Sequence, residues 1–299
     1  MVAATVLIPT FDHGPLVAHS LASAQDQSVR DIEIFVVGDG APALTRELVL
    51  AAAAKDPRIR YFDNPKGEGR GERHRHAALA AARGEIACYL ADDDLWFPDH
   101  VATMRDLLAE ADFASTLHGR LGADGTIEAE MVDLALSYYR DVIMRIENRI
   151  PTSFGAHSMA IYRRLPQGWS VGPKGLPTDL HMWRRILGLS GCRAKSAPVP
   201  TGLCFPSPPR RHMTLGEREA ELAHWREAIR DPAQLAAIKV EIQSQALRMA
   251  AREAQQLSTL KDRLIGRWRR HLLRTKIRLA RVPHLRASWR RLCGKPPLP

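Results

Sequence analysis

An alternation near the start of the chain most constrains its fold: short runs rich in β-branched residues, each followed by a helical stretch. Residues 4–8, 32–37 and 59–62 are the runs, and residues 15–27 and 43–54 are the stretches between them. Such a β-α-β-α succession predicts an α/β fold, a mostly parallel sheet with helices on its faces. Residues 75–83 read as a further helix stopped by Gly84, and residues 86–91 as a further buried strand. The strands then end at Pro9 and Thr10, at Gly38-Asp39-Gly40 and at Asp92-Asp93-Asp94. Open sheets of this class bind ligands beyond those ends.

The acidic triplet is the sharpest chemical signal. Adjacent like charges repel one another, and a hard divalent cation such as Mg²⁺ or Mn²⁺ at Asp92, Asp93 and Asp94 would relieve that repulsion. Such an ion would also keep coordination positions for a diphosphate. A solvated acidic turn, or a cap for a helix over residues 97–108, accounts for the triplet equally well, so the neighbouring residues have to decide.

Beyond residue 150 the pattern loosens. Residues 158–162 are expected to form a strand, 178–188 a helix and 198–209 a proline-rich connection. The catalytic domain is expected over residues 1–214 and a helical extension over 215–299. Apolar residues at helical spacing, Leu222, Trp225, Ile229, Leu235, Ile238, Ile242 and Leu247, predict a helix pair over 215–260.

Charge separates the tail from the rest. The formal net charge is +10, yet residues 261–295 hold thirteen Lys or Arg against one acid, Asp262, so the remainder carries about −2. With Trp268, Trp289 and many leucines among its arginines, this tail reads as a basic amphipathic helix broken at Pro283. An anionic membrane surface is the partner it suits best; packing on the catalytic domain or on a second copy of the chain suits it about as well. Nucleic acid is disfavoured, because the first 260 residues are nearly neutral and carry no nucleic-acid-binding motif. A nucleotidyltransferase would also use carboxylate-held metal, but the glycine-rich, lysine-containing signature expected near its N-terminus is missing. Cys88, Cys192, Cys204 and Cys293 form no C-x-x-C pair, and no run of about eighteen apolar residues exists. A cytoplasmic protein is expected, peripheral on the inner face of the membrane if the tail binds lipid.

Four stretches resemble the family 2 glycosyltransferases of the GT-A fold. They are Val6-Leu7-Ile8-Pro9-Thr10-Phe11, residues 31–40 ending in Gly38-Asp39-Gly40, residues 75–85 beginning Arg75-His76-Ala77, and residues 90–100 containing the triplet and Trp96-Phe97-Pro98. The resemblance implies a Rossmann-like GT-A domain with a C-terminal α-helical appendage. It also implies inverting transfer from a nucleoside-diphosphate sugar (UDP, GDP or dTDP) to a saccharide or lipid-linked acceptor.

Carried over residue by residue, the resemblance makes Pro9, Thr10 and Asp39 the pocket for the base and ribose, and puts Arg75 near the nucleotide. His76 stands where asparagine is usual. The metal motif falls on two of Asp92, Asp93 and Asp94: alignment on Leu90 and Trp96 gives Ala91 and Asp93, whereas a literal Asp-x-Asp gives Asp92 and Asp94. Asp179 is the implied base, with Thr178 replacing the usual glutamate. Arg210, Arg211 and His212 are expected on a loop that closes over the diphosphate, His212 as a metal ligand. Gly-Asp-Gly also makes an ordinary turn, and Thr178 or Asp179 could simply cap a helix. His157 and His181 are weaker candidates for holding an acceptor.

Overall fold

Strands β1 (Ala4–Thr10), β2 (Ile32–Asp39), β3 (Ile59–Asn64) and β4 (Ile86–Tyr89) run parallel in the spatial order β3-β2-β1-β4. The structure is a computed structural model that describes the backbone of residues 2–280 and the side chains of residues 2–256 and Ile265. Val6, Ile8, Ile34 and Val36 face one layer, in which they meet α1 (Leu16–Gln25), α2 (Ala43–Ala53) and α4 (His100–Leu108) through Val17, Leu21, Val49, Val101 and Met104. Leu7, Phe35 and Val37 face the other, against Ala78 and Leu79 of α3 (Glu72–Ala80) and Leu180, Trp183 and Ile186 of α7 (Thr178–Leu187). Period-two side chains covered on both sides explain why these strands read as unbroken apolar runs. Fully burying each such side chain contributes about 1.5–3 kcal/mol relative to exposure.

The chain first builds outward from β1 to β2 and β3, then returns to place β4 on the other side of β1. The carboxyl ends of β1 and β4 therefore flank a topological switch point. Beyond β4 the sheet becomes mixed: β8 (Gly155–Ser158) is antiparallel to β4 and to β6 (Phe113–Leu121), and β9 (Ala194–Cys204) is parallel to β6. The edge strands β5 (Leu95–Trp96) and β7 (Ile127–Glu128) pair with β9 and β6 respectively. Helices α5 (Ser137–Arg145) and α6 (Met159–Arg163) fill the connections.

Three expectations need revising. The strand expected over 158–162 is a short helix, because the Ser158 side chain caps it by accepting from the Ile161 amide at 3.1 Å. Most of the expected proline-rich connection is strand β9. Its prolines are tolerated where the β6–β9 register shifts, between Thr116 and Leu117 and again between Leu117 and Gly119. Finally, packing does not break at 214/215. The first compact unit is Met1–Leu247, because α8 (Leu215–Arg230) and the start of α9 (Pro232–Ala280) bury Leu222, Ile229, Ile238 and Ile242 against Leu16, Leu95, Phe97 and Leu203.

The helix pair over 215–260 is present as α8 and α9. In the second unit, Arg248–Pro299, the described backbone is helical to Ala280. Of the basic amphipathic tail, the side chains other than Ile265 and the expected break at Pro283 lie outside the described residues. Among the described residues no helix is long and apolar enough to cross a membrane.

Candidate active site

A cleft of about 470 Å³ opens at the switch point. Its lining includes Pro9, Thr10, Asp39, Arg75, Asp92, Asp93 and Thr178, so seven residues read from five separate stretches converge on one cavity. The parallel register makes this happen. Thr10 is opposite Gly38 across β1 and β2, and the Leu90 amide donates to the Leu7 carbonyl at 3.0 Å, which brings the residues after β4 out beside Pro9.

Asp39 sits at the floor, buried, and both of its oxygens are engaged. Lys66 donates to Oδ2 at 2.6 Å and the Gly67 amide to Oδ1 at 2.6 Å. Lys66 Nζ also donates to the carbonyls of Gly67 and Gly69, so its three donors pin the glycine-rich loop to the carboxylate. Gly71, with φ of 75°, enters α3 from the left-handed region; a side chain there would be strained and would press on the Asp39 carboxylate.

Arg75 is buried in the first turn of α3. Its Nη2 donates to the Arg70 carbonyl at 2.6 Å and its guanidinium lies 4.4 Å from the centre of the Trp169 ring, while its Nε is buried without a partner. Burial lowers its pKa, against the attraction of Glu72, Tyr89, Asp179 and Asp39. A buried guanidinium held on an aromatic face and lining the cleft is suited to an anionic ligand.

The triplet divides. Asp92 and Asp93 line the cleft, whereas Asp94 turns inward: its Oδ2 accepts from Ser153 at 2.5 Å and its Oδ1 from the Phe205 amide at 2.8 Å. Burial, reinforced by the charge of Asp93, pushes the Asp94 carboxyl up to about 7. Asp94 is thus a buried clamp between two loops. Asp94→Ala is expected to cost about 1–3 kcal/mol of stability by leaving those donors unpaired. Asp94→Asn, which can still accept from Phe205, should cost less. Urea unfolding of the two variants measures both.

His13, which the sequence reading did not single out, completes the acidic corner. Its Nδ1 lies 2.7 Å from Asp92 Oδ1 and 3.9 Å from Asp93 Oδ2. Burial opposes a charge on this imidazole, but the hydrogen bond and charge of Asp92, helped by Asp93, outweigh it and raise the pKa to about 9. Burial and the charge of Asp92 likewise raise Asp93. Among the described residues, His13, Asp92 and Asp93 bring one ligand atom each within 4.8 Å of one another. Two carboxylate oxygens and an imidazole nitrogen suit Mn²⁺ or Mg²⁺, with His13 a ligand only after losing its proton.

Asp179 opens α7 next to the cleft and is half-buried. It accepts from the Leu180 amide at 2.8 Å and from the Thr152 hydroxyl at 3.3 Å, and burial raises its pKa. Thr152 and Thr178 line the cleft, and Thr178 donates to Glu72 at 2.7 Å, which ties the start of α7 to the start of α3.

The expected closing loop is arranged differently. Arg210 is fully buried, its Nε and Nη2 each donating to Glu221 at 2.6 Å and its Nη1 to the Leu121 carbonyl at 3.0 Å. Arg211 and His212 are exposed and do not line the cleft. The basic group that does reach the acidic corner is Arg218, in the first turn of α8, which donates to Asp93 Oδ2 at 2.8 Å; Ser207 donates to the same oxygen at 3.3 Å. His157 is buried against the Tyr89 hydroxyl at 2.6 Å, and neither it nor His181 lines the cleft.

The family model described as Glycosyl transferase family 2 matches residues 5–166, more than half of the chain. The chain belongs to that family. Among its relatives are the GalNAc(5)-diNAcBac-PP-undecaprenol beta-1,3-glucosyltransferase of Campylobacter jejuni, 32% identical over 30% of this chain and 29% of that protein, and the succinoglycan biosynthesis protein ExoW of Rhizobium meliloti, 30% identical over 34% of this chain and 32% of that protein. The chain thus spans about a third of the length of the relatives it matches.

The solved structure of S. aureus TarS 1-349 superposes with a TM-score of 0.54 at 13% identity, covering 76% of this chain and 69% of that one. A second TarS 1-349 structure, in complex with UDP-GlcNAc, gives a TM-score of 0.53 at 15% identity over 68% of this chain and 58% of that one. At that identity the likeness shows the fold alone. The family 2 chain has the GT-A fold: a mostly parallel sheet with helices on both faces and a C-terminal helix.

Proposed function

We propose that this family 2 chain transfers a sugar, with inversion, from a nucleoside-diphosphate sugar to an acceptor hydroxyl. The observation that carries the reading is the convergence of Asp39, Arg75, Asp92 and Asp93 on one cleft at the switch point of the sheet. In this reading Asp39 and Thr10 hold the base and ribose, Arg75 offers a buried cation to the nucleotide, and Asp92 with Asp93 serve the diphosphate. A divalent ion held by Asp92 and Asp93, with His13 as a third donor, would supply positive charge to the diphosphate oxygens. Arg211 and His212, exposed beside the loop, serve the diphosphate only if that segment closes over it.

Asp179 is the base in this reading. It takes the acceptor hydroxyl proton as the oxygen attacks the anomeric carbon and the bond to the diphosphate breaks. Only the ionised form can accept that proton, and burial raises the pKa of this carboxyl. The acid limb of a kcat/KM profile is therefore expected above the ordinary aspartate range, with activity lost as pH falls through it; a limb at or below about 4 would remove Asp179 from this role.

The names of the C. jejuni and R. meliloti relatives, one carrying PP-undecaprenol and one succinoglycan biosynthesis, support a saccharide or lipid-linked acceptor. Thermal stabilisation by UDP, GDP or dTDP with and without Mn²⁺, against a DNA oligomer as control, tests the donor reading. Stabilisation by the oligomer alone would overturn it.

A further inference from the structure

We propose that Arg218 is an exchangeable cation that makes divalent-metal binding depend on the nucleoside diphosphate, an inference that rests on the donor reading above. Asp93 Oδ2 accepts from Arg218 at 2.8 Å and from Ser207 at 3.3 Å, and Asp92 Oδ1 is 2.7 Å from His13. Asp93 is thus already paired with an internal cation, Arg218, and Asp92 with the His13 ring. A divalent ion approaching Asp93 meets an oxygen already charge-paired and has to displace a guanidinium whose side chain is only 13% exposed. Displacement without a substitute anion strands that guanidinium in a poorly solvated place, a cost that weakens the ion's net binding.

A diphosphate changes the balance. Its oxygens are acceptors of the kind a guanidinium pairs with, and they would arrive in the same cleft that Asp93 lines. Arg218 can then pass from Asp93 to phosphate while the ion takes Asp93, so every charge keeps a partner. The Nε of Arg218, buried without a partner, is a donor still available to a second oxygen.

The backbone of Arg218 is well placed to stay fixed while the guanidinium moves. Thr214 and Glu217 form a reciprocal cap on α8, and Leu222, Ala228 and Ile229 anchor that helix in the core. The exchange therefore needs a side-chain rotation and no displacement of the helix. By linkage, the factor by which diphosphate strengthens metal binding equals the factor by which metal strengthens diphosphate binding, and Arg218 supplies part of both.

Titration calorimetry of the full chain with Mn²⁺ alone, with whichever of UDP, GDP or dTDP stabilises it, and with both, tests this. The native chain should bind Mn²⁺ at least about tenfold more tightly when the diphosphate is present. In Arg218→Gln, Mn²⁺ alone should bind about tenfold more tightly than to the native chain, and diphosphate in the presence of Mn²⁺ about tenfold more weakly, so that the coupling collapses. Arg218→Lys, which keeps the charge, should restore most of it. A merely structural arginine would not tighten metal binding when removed. Unchanged or weaker Mn²⁺ binding to Arg218→Gln, with diphosphate and Mn²⁺ still binding to the native chain, overturns the exchange and leaves the donor reading standing. Failure of every diphosphate to bind the native chain with Mn²⁺ overturns the donor reading itself and the exchange with it.

Discussion

Asp93→Asn combined with Asp92→Asn is expected to abolish metal-dependent nucleotide binding and to lower sugar transfer by about 10³-fold or more. Both carboxylates line the cleft, and the pair contributes two of the three ligand atoms that lie within 4.8 Å of one another. Asparagine keeps the shape of each side chain and removes its charge, so the surrounding loops should hold. His13 would then lose the negative charges that raise its pKa, and one imidazole nitrogen does not replace two anionic oxygen ligands. Mn²⁺ titration with diphosphate, followed by a transfer assay, reads both effects. Retained metal-dependent binding in the double variant would end the metal reading. Asp94→Asn is the informative partner to this experiment: a side chain clamped between Ser153 and Phe205 should leave metal affinity nearly unchanged.

Asp179→Asn is expected to lower kcat by about 10²–10⁴-fold, the usual contribution of a positioned base, while leaving diphosphate affinity within about threefold. The separation follows from placement. Asp179 is at the start of α7, held by the Leu180 amide and the Thr152 hydroxyl, and does not itself line the part of the cleft where Asp39, Arg75 and the acidic corner converge. Asparagine can still accept from Leu180, so the helix start should survive. Steady-state kinetics alongside calorimetric binding of the diphosphate distinguish a base from a cap. An unchanged kcat would assign Asp179 to the helix cap alone.

Much of the cleft was legible because strand ends are legible. Pro9, Thr10, Asp39 and the triplet each follow an apolar run, and residues that terminate neighbouring parallel strands come together whatever the connections do. The register of the triplet was not, because three identical residues in a turn carry no information about which way each points. Ser153 and Phe205, distant in sequence, pull Asp94 inward. His13 was missed for a similar reason: a lone histidine in a loop gains significance only when β4 delivers Asp92 to within 2.7 Å of it.

The basic loop shows how composition can mislead. Pro208-Pro209-Arg210-Arg211-His212 looks like a mobile cationic lid, yet Glu221 on α8 returns to capture Arg210 in a buried pair, while Arg218, unremarkable in sequence, reaches Asp93. Both outcomes depend on where α8 packs, and that is set by Leu222 and Ile229 meeting Leu16 and Leu203.

By itself the amino-acid order determined the α/β class, the parallel half of the sheet and the edge at which ligands gather, since these follow from hydrophobic periodicity and strand-ending residues close together along the chain. Tertiary structure alone decided which carboxylates face the cleft, which arginine meets them and how far the compact unit extends. Those outcomes depend on contacts between residues 59 to 125 positions apart, such as Asp94 with Ser153 and Asp93 with Arg218, and no local pattern encodes the direction of a side chain relative to a partner that distant.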